Sequence, residues 1–275
     1  MRSTKLKPAL SLAAFSAAAV AGLAVILPPS ATADDRAWIN TGAGDWSLPA
    51  NWQGGNVPAA ADNAHINNSG TALITTAASN NNAYLGGAAG ERGAAIVSGH
   101  WLNTGDLHVG ASGTGALTIN GSGSVQNAGA YIGAATDGSG AAIVSGSGVW
   151  NNTASLYAGF SGAGSLAITD SGSVSSNGGY IGYNPSSKGS ATVSGTGVWN
   201  NANYYLTVGN SGTGSLSITE SGTVLSGAGQ VGGYDTNASG SVGVGGFGVW
   251  KNTGDLTVGA SGTGAVSITG SGVVF

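Results

Sequence analysis

WNNANYYLTVGNSGTGSLSITESGTVLSGAGQVGGYDTNASGSVGVGGFGV, residues 199–249, decides the fold, because the chain repeats it. Trp250 opens the same phrase again, and Trp101 and Trp150 open two earlier copies. The spacings between these tryptophans are 49, 49 and 51 residues. A period of this length marks a solenoid, a propeller or another array in which one unit buries its apolar face against the next.

Shorter phrases recur within each copy. Leu107-His108-Val109-Gly110 answers to Leu156-Tyr157-Ala158-Gly159, Leu206-Thr207-Val208-Gly209 and Leu256-Thr257-Val258-Gly259. Leu117-Thr118-Ile119 answers to Leu166-Ala167-Ile168, Leu216-Ser217-Ile218 and Val266-Ser267-Ile268. Tyr131-Ile132-Gly133 and Tyr180-Ile181-Gly182 form a third set with Gln230-Val231-Gly232. Apolar residues alternate with small or polar ones, the period of a half-buried strand. Each phrase ends in Gly, Ser or Asn, residues that turn a chain. After residue 34 no helical i, i+3, i+4 pattern persists, and 52 glycines oppose helix at about 1 kcal/mol for each interior one.

Only 7% of the chain is charged, against roughly 25% in ordinary domains. Disordered chains share that Gly-rich character but lack scheduled Val, Ile and Leu. No cysteine is present, which excludes disulfides and thiolate chemistry. Of seven basic residues, Arg2, Lys5 and Lys7 lie in the leader; the four that remain face eleven acids, a net charge of −7. Nucleic acid and anionic lipid are poor partners for such a surface.

Residues 1–33 read as a helical signal peptide: a basic start, an apolar stretch from Ala9 to Leu27, and Ala31-Thr32-Ala33 as the cleavage pattern. Residues 34–82 hold Trp38, Trp46 and Trp52 and read as an N-terminal cap or diverged first repeat; Trp52 lies 49 residues before Trp101. Residues 83–275 carry the repeats. The last copy stops at Phe275 where earlier ones continue, so the sequence reads as truncated at its C-terminus.

These features predict an all-β fold, a parallel β-solenoid with short rungs. Phrase starts at Trp150, Leu166, Tyr180, Trp199, Leu216, Val231 and Trp250 are 14 to 19 residues apart, which suggests three rungs of about 16 per copy. That gives about 15 rungs and a rod of about 70 Å, with a tryptophan on every third rung and about 14 Å between them. A β-propeller is the competing architecture; four copies are few for it and its signature dipeptides are missing.

The repeat, W-N-x-x-x-x-L-x-V-G-x-S-G-T-G-x-L-x-I-x-x-S-G-x-V with Y-I-G and V-S-G-x-G-V-W, resembles that of autotransporter (type V secretion) passengers and PEP-CTERM-associated proteins of Gram-negative bacteria. The likeness covers residues 84–275. Asp45-Trp46, Asn51-Trp52, Val57-Pro58, Asp62 and Ile66-Asn67-Asn68 are similar to the opening segment of such passengers. The resemblance implies a right-handed β-helix exported to the cell surface or beyond, ahead of a C-terminal outer-membrane barrel that this sequence does not contain.

No catalytic, cofactor-binding or metal-binding residue is expected, and no cofactor. Ser112-Gly113-Thr114-Gly115 is Gly-rich, but no Lys follows and no helix begins, so it reads as a turn rather than a phosphate loop. His65, His100 and His108 show no ligand spacing and read as surface residues. Asp106 with Asp255, and Asp170 with Glu220, are repeated turn positions rather than catalytic pairs. Trp101, Trp150, Trp199 and Trp250 admit two readings: packing within the coil, which is preferred, or exposed rings that stack on sugars. The expected function is therefore a non-enzymatic structural or adhesin-like surface passenger with a glycan or protein partner. A β-helix enzyme acting on extracellular polysaccharide is the alternative, and a non-functional fragment the third reading.

Overall fold

The computed structural model describes residues 33–275. The expected leader, apart from Ala33, lies outside them. From Asp35 onward the chain winds as a parallel β-solenoid of about ten rungs, not as blades about a channel. Each regular rung contributes three strands. One rung is Val149–Asn152, Leu156–Ala158 and Ala163–Ile168; the next is Ser173–Ser175, Gly179–Ile181 and Lys188–Val193. Equivalent strands pair in parallel, Trp150 on Val174, Tyr157 on Tyr180 and Leu166 on Ala191. The coil therefore has three faces, here called first, second and third. The third is a ten-stranded sheet. The first and second join into one 17-stranded sheet because Val198–Val208 and Thr223–Val231 run unbroken through both.

This register corrects the expected rung. Trp101 pairs with Val125, Val125 with Trp150, and Trp150 with Val174, steps of 24, 25 and 24 residues. A 49-residue copy is two rungs of three strands, not three rungs of 16. Ten rungs at about 4.8 Å make a body of about 45 Å rather than 70 Å. The tryptophans stand on every second rung, about 10 Å apart. A turn of a solenoid is complete only where a strand meets its own predecessor. Here that predecessor carries Val where the strand carries Trp, so matching residue types alone hides the true turn.

Packing explains the doubled period. One kind of rung points large side chains inward: Trp150, Leu156, Leu166 and Ile168. The next points smaller ones at the matching places, Val174, Gly179, Ala191 and Val193; the end of the second face reverses the order, with Ile181 on Ala158. The indole of each Trp overhangs the small rung before it. A Cβ on Gly179 would lie 2.8 Å from Trp199 Cζ2 and 2.8 Å from Leu206 Cδ1. Gly229 stands in the same relation to Trp250 and Leu256. Two consecutive large rungs would collide, and two small ones would leave a void.

The indole N–H also needs a partner once water is excluded. The preceding rung supplies it. Trp101 Nε1 donates to Asn80 Oδ1 at 2.6 Å and Trp150 Nε1 to Asn127 Oδ1 at 2.7 Å. Trp199 and Trp250 donate to the hydroxyls of Ser176 and Ser226, at 3.3 and 2.9 Å. These Asn and Ser residues form an internal polar column: Asn127 Nδ2 donates to Asn152 Oδ1 at 2.7 Å, and Asn80 Nδ2 to Asn103 Oδ1 at 2.8 Å.

Corners depend on glycine at one recurrent place. Gly182 has φ +72°, and a Cβ there would stand 2.2 Å from the Thr213 carbonyl oxygen. The Ser112-Gly113-Thr114-Gly115 phrase is a turn running into the third-face strand Thr114–Ile119. Residues 34–82 continue the sheets: Asp35–Ala37 pairs with Asn63–Ile66, and Ala43–Asp45 with Asn68–Ile74. Trp52 is not paired into the first-face sheet as the later tryptophans are; its bridge is an isolated antiparallel one to Trp38. Instead Trp38, Trp46 and Trp52 cluster edge to face, with centroids 5.1 and 4.7 Å apart, and Trp46 lies 5.4 Å from Trp101. Two 3-10 turns, Pro49–Asn51 and Gln53–Gly55, shape that cluster, so helical turns do occur after residue 34.

Candidate binding surface

Trp101, Trp150, Trp199 and Trp250 are each 0% exposed. Buried rings cannot stack on a sugar, so the packing reading stands and the glycan role passes from the tryptophans. A different set of aromatics reaches the surface. The middle residue of each second-face strand points outward, and six successive rungs place a ring there: His65, Tyr84, His108, Tyr131, Tyr157 and Tyr180. Centroids are 4.7 to 5.1 Å apart with interplanar angles of 7° to 13°. The strand spacing sets that repeat, and the rings slide off centre to stay in contact.

Burial within the ladder shifts its acids and bases. It lowers the pKa of His108, against the opposing pull of the Asp106 carboxylate. It raises the phenols of Tyr84, Tyr131, Tyr157 and Tyr180. His65 and His108 are thus half-buried members of one stack, while His100 is exposed and bonded to the Ser124 hydroxyl at 2.7 Å. Among the described residues no group of three or more His, Cys, Asp or Glu side chains converges to hold a metal.

The repeat carboxylates Asp106, Asp170, Glu220 and Asp255 lie apart, on turns, whereas Asp34 and Asp62 share the Arg36 guanidinium at 2.9 and 3.1 Å. Asp170 and Glu220 both have positive φ, 55° and 56°. Each accepts an N–H from the preceding rung, Gly146 at 3.1 Å and Gly195 at 2.7 Å respectively. Asp106 accepts the Gly129 N–H at 2.7 Å. In the N-terminal segment burial favours protonation of Asp62, but N–H groups of Ala59 and Asp34 and the Arg36 guanidinium outweigh it and hold the carboxyl below its usual range.

The ladder stops at Tyr180, because the next rung carries Thr207 and the one after it Gln230. A second short stack, Phe160 on Tyr183 with centroids 5.3 Å apart, stops on the same rung, where Asn210 follows. Tyr180 and Tyr183 meet edge to face at 5.1 Å. Beyond them opens a cavity of about 220 Å³ lined also by Tyr205, Gln230 and Tyr234. An adjoining cavity of about 400 Å³ shares those three residues and reaches Asp255 and Thr257.

The repeat is broken at this groove. From Trp150 to Leu156 is six residues, from Trp199 to Leu206 seven; the additional residue falls among Ala202, Asn203 and Tyr204, where the pairing register shifts, and Tyr205 is back in register on Ala228. From Gly182 to Lys188 is six residues, from Gly232 to Ser239 seven, and this second insertion carries Tyr234 and Asp235. The two insertions account for the 51-residue spacing; Tyr205 directly follows the first and Tyr234 lies in the second, and they are 60% and 73% exposed.

Sequence reasoning missed both the ladder and the groove. The L-x-V-G and Y-I-G phrases were set in separate columns, whereas the fold stacks them in one; their shared pattern, an outward residue before an apolar one and Gly, was the available signal. No family model matches the chain, and no characterised protein or solved structure shows significant similarity to it.

Proposed function

We propose that this chain is a non-enzymatic structural rod of the autotransporter-passenger kind, exported and displayed outside the cytoplasm, where it presents a surface to a glycan or protein. The observation that carries this reading is the uninterrupted parallel solenoid. Its interior is filled from one end to the other by Trp, Leu, Ile and Val. Such a body is a spacer whose stability is spread over many equivalent interfaces. The low charge of the chain and the basic, apolar start of its sequence fit passage through a membrane as an unfolded chain.

Expression of the full chain in a Gram-negative host, with fractionation and N-terminal sequencing, tests this. The expected product lies outside the cytoplasm and begins at or near Asp34. Recovery of a folded, Met1-bearing chain from the cytoplasm alone refutes export. Release of reducing ends from a common polysaccharide by purified protein refutes the non-enzymatic part.

A further inference from the structure

We propose that the groove at the break in the repeat is a binding site for a neutral saccharide. It rests on the display reading only for where the sugar is met; the chemistry is that of the groove. The motivation is a stack of rings that ends at the edge of a cavity, its next place taken by Thr207. Tyr180 and Tyr183 each have a ring neighbour on the rung before and none on the rung after. A pyranose ring carries axial C–H groups on a flat apolar face, and it can occupy the place where the next aromatic ring is missing. Tyr205, just after the first insertion, and Tyr234, in the second, are exposed and line the same cavity.

Polar groups sit where sugar hydroxyls would point. The Gln230 side chain is only 5% exposed yet lines both lobes, with no hydrogen bond from its amide to another described residue. An amide donates and accepts, as a hydroxyl does. Asn210 spends its Nδ2 on the Tyr183 carbonyl and on Ser211, leaving its oxygen as an acceptor. No Lys or Arg lines either lobe, and the exposed Asp255 stands at the wider one. That charge pattern rejects uronic or sulfated sugars and accepts neutral ones. The wider lobe, of about 400 Å³, falls within the range of small-ligand clefts, about 300–1,000 Å³, and the narrower one, of about 220 Å³, adjoins it.

Titration calorimetry on the full chain tests the proposal, with cello-, manno-, xylo-, malto- and chito-oligosaccharides as neutral probes and oligogalacturonate as the acidic one. The expected result is saturable binding of at least one neutral probe. Tyr205→Ala and Tyr234→Ala should each weaken it about tenfold, the scale of one lost ring contact. Phe247→Ala, at an exposed ring outside the groove, should leave it unchanged. Both tyrosines are exposed, so their variants should keep the parent melting curve. Absence of saturable binding by every neutral probe overturns the proposal. So does binding indifferent to both Tyr variants, preference for oligogalacturonate, or a self-association that the same variants abolish, which would assign the groove to a second copy. A cytoplasmic chain that binds sugar removes the display reading alone; an exported chain that binds none removes this site alone.

Discussion

At the scale of single residues the indole N–H governs what a rung can contain. Asn127→Ala takes away the acceptor of Trp150 Nε1 inside a site that water does not reach. The expected loss is about 1–3 kcal/mol, the range for an orphaned buried donor, read by urea denaturation. Asn127→Ser should lose less, because Ser176 and Ser226 already do this work for Trp199 and Trp250. Equal losses from both variants would show that shape rather than the hydrogen bond matters at this position. Gly179 has a different constraint, one of space. Gly179→Val drives methyl groups into Trp199 and Leu206 and should cost about 1–3 kcal/mol as overpacking. Gly179→Ala should be milder, since Ala130 occupies the equivalent place beside Leu156 and in the rung before Trp150.

At the scale of the element, the second face joins strand register to ring chemistry. The ladder holds His108 between Tyr84 and Tyr131. Its folded pKa lies below the unfolded value, so the unfolded state takes up the proton first as pH falls. Stability should therefore be at its full value above the ordinary histidine range, near 6.5, and decline as pH falls from there toward the lowered folded pKa. Asp106 softens the effect. Melting curves between pH 7.5 and 5, a window of about one unit or more on either side of that value, should show the decline. His108→Tyr, which the neighbouring rungs already accommodate, should remove the part due to this group. A wild-type and variant that decline in parallel would show that the ladder histidine plays no part.

At the scale of the whole solenoid, the break between Trp199 and Trp250 is a local departure from a sequence-periodic body. Deleting Tyr204 and Tyr234, combined with Tyr205→Ala, returns that spacing to the 49 residues of the other copies and leaves no tyrosine before Leu206. None of the three side chains is buried, so thermal stability should change by no more than roughly 1 kcal/mol, and any saccharide binding should vanish. Collapse of the fold would mean that the insertions are structural, set by some need of the coil rather than by the groove.

Much of this architecture can be read directly from residue order. Alternating aliphatics, turn glycines and the tryptophan period are local facts, and they are enough for a wound, all-β body because strand period and corner chemistry are written within a few residues. Two things were decided only by the tertiary structure. Which strand lies on which is set by the fit of a large rung against a small one, so the rung is 23 to 26 residues and not 16. Which aromatics face water is set by the same register: it buries the spaced tryptophans and gathers His65 through Tyr180 into one outward stack that ends at a groove. Contacts between residues some 25 positions apart carry no mark in the local pattern, and they exist only once the coil has closed on itself.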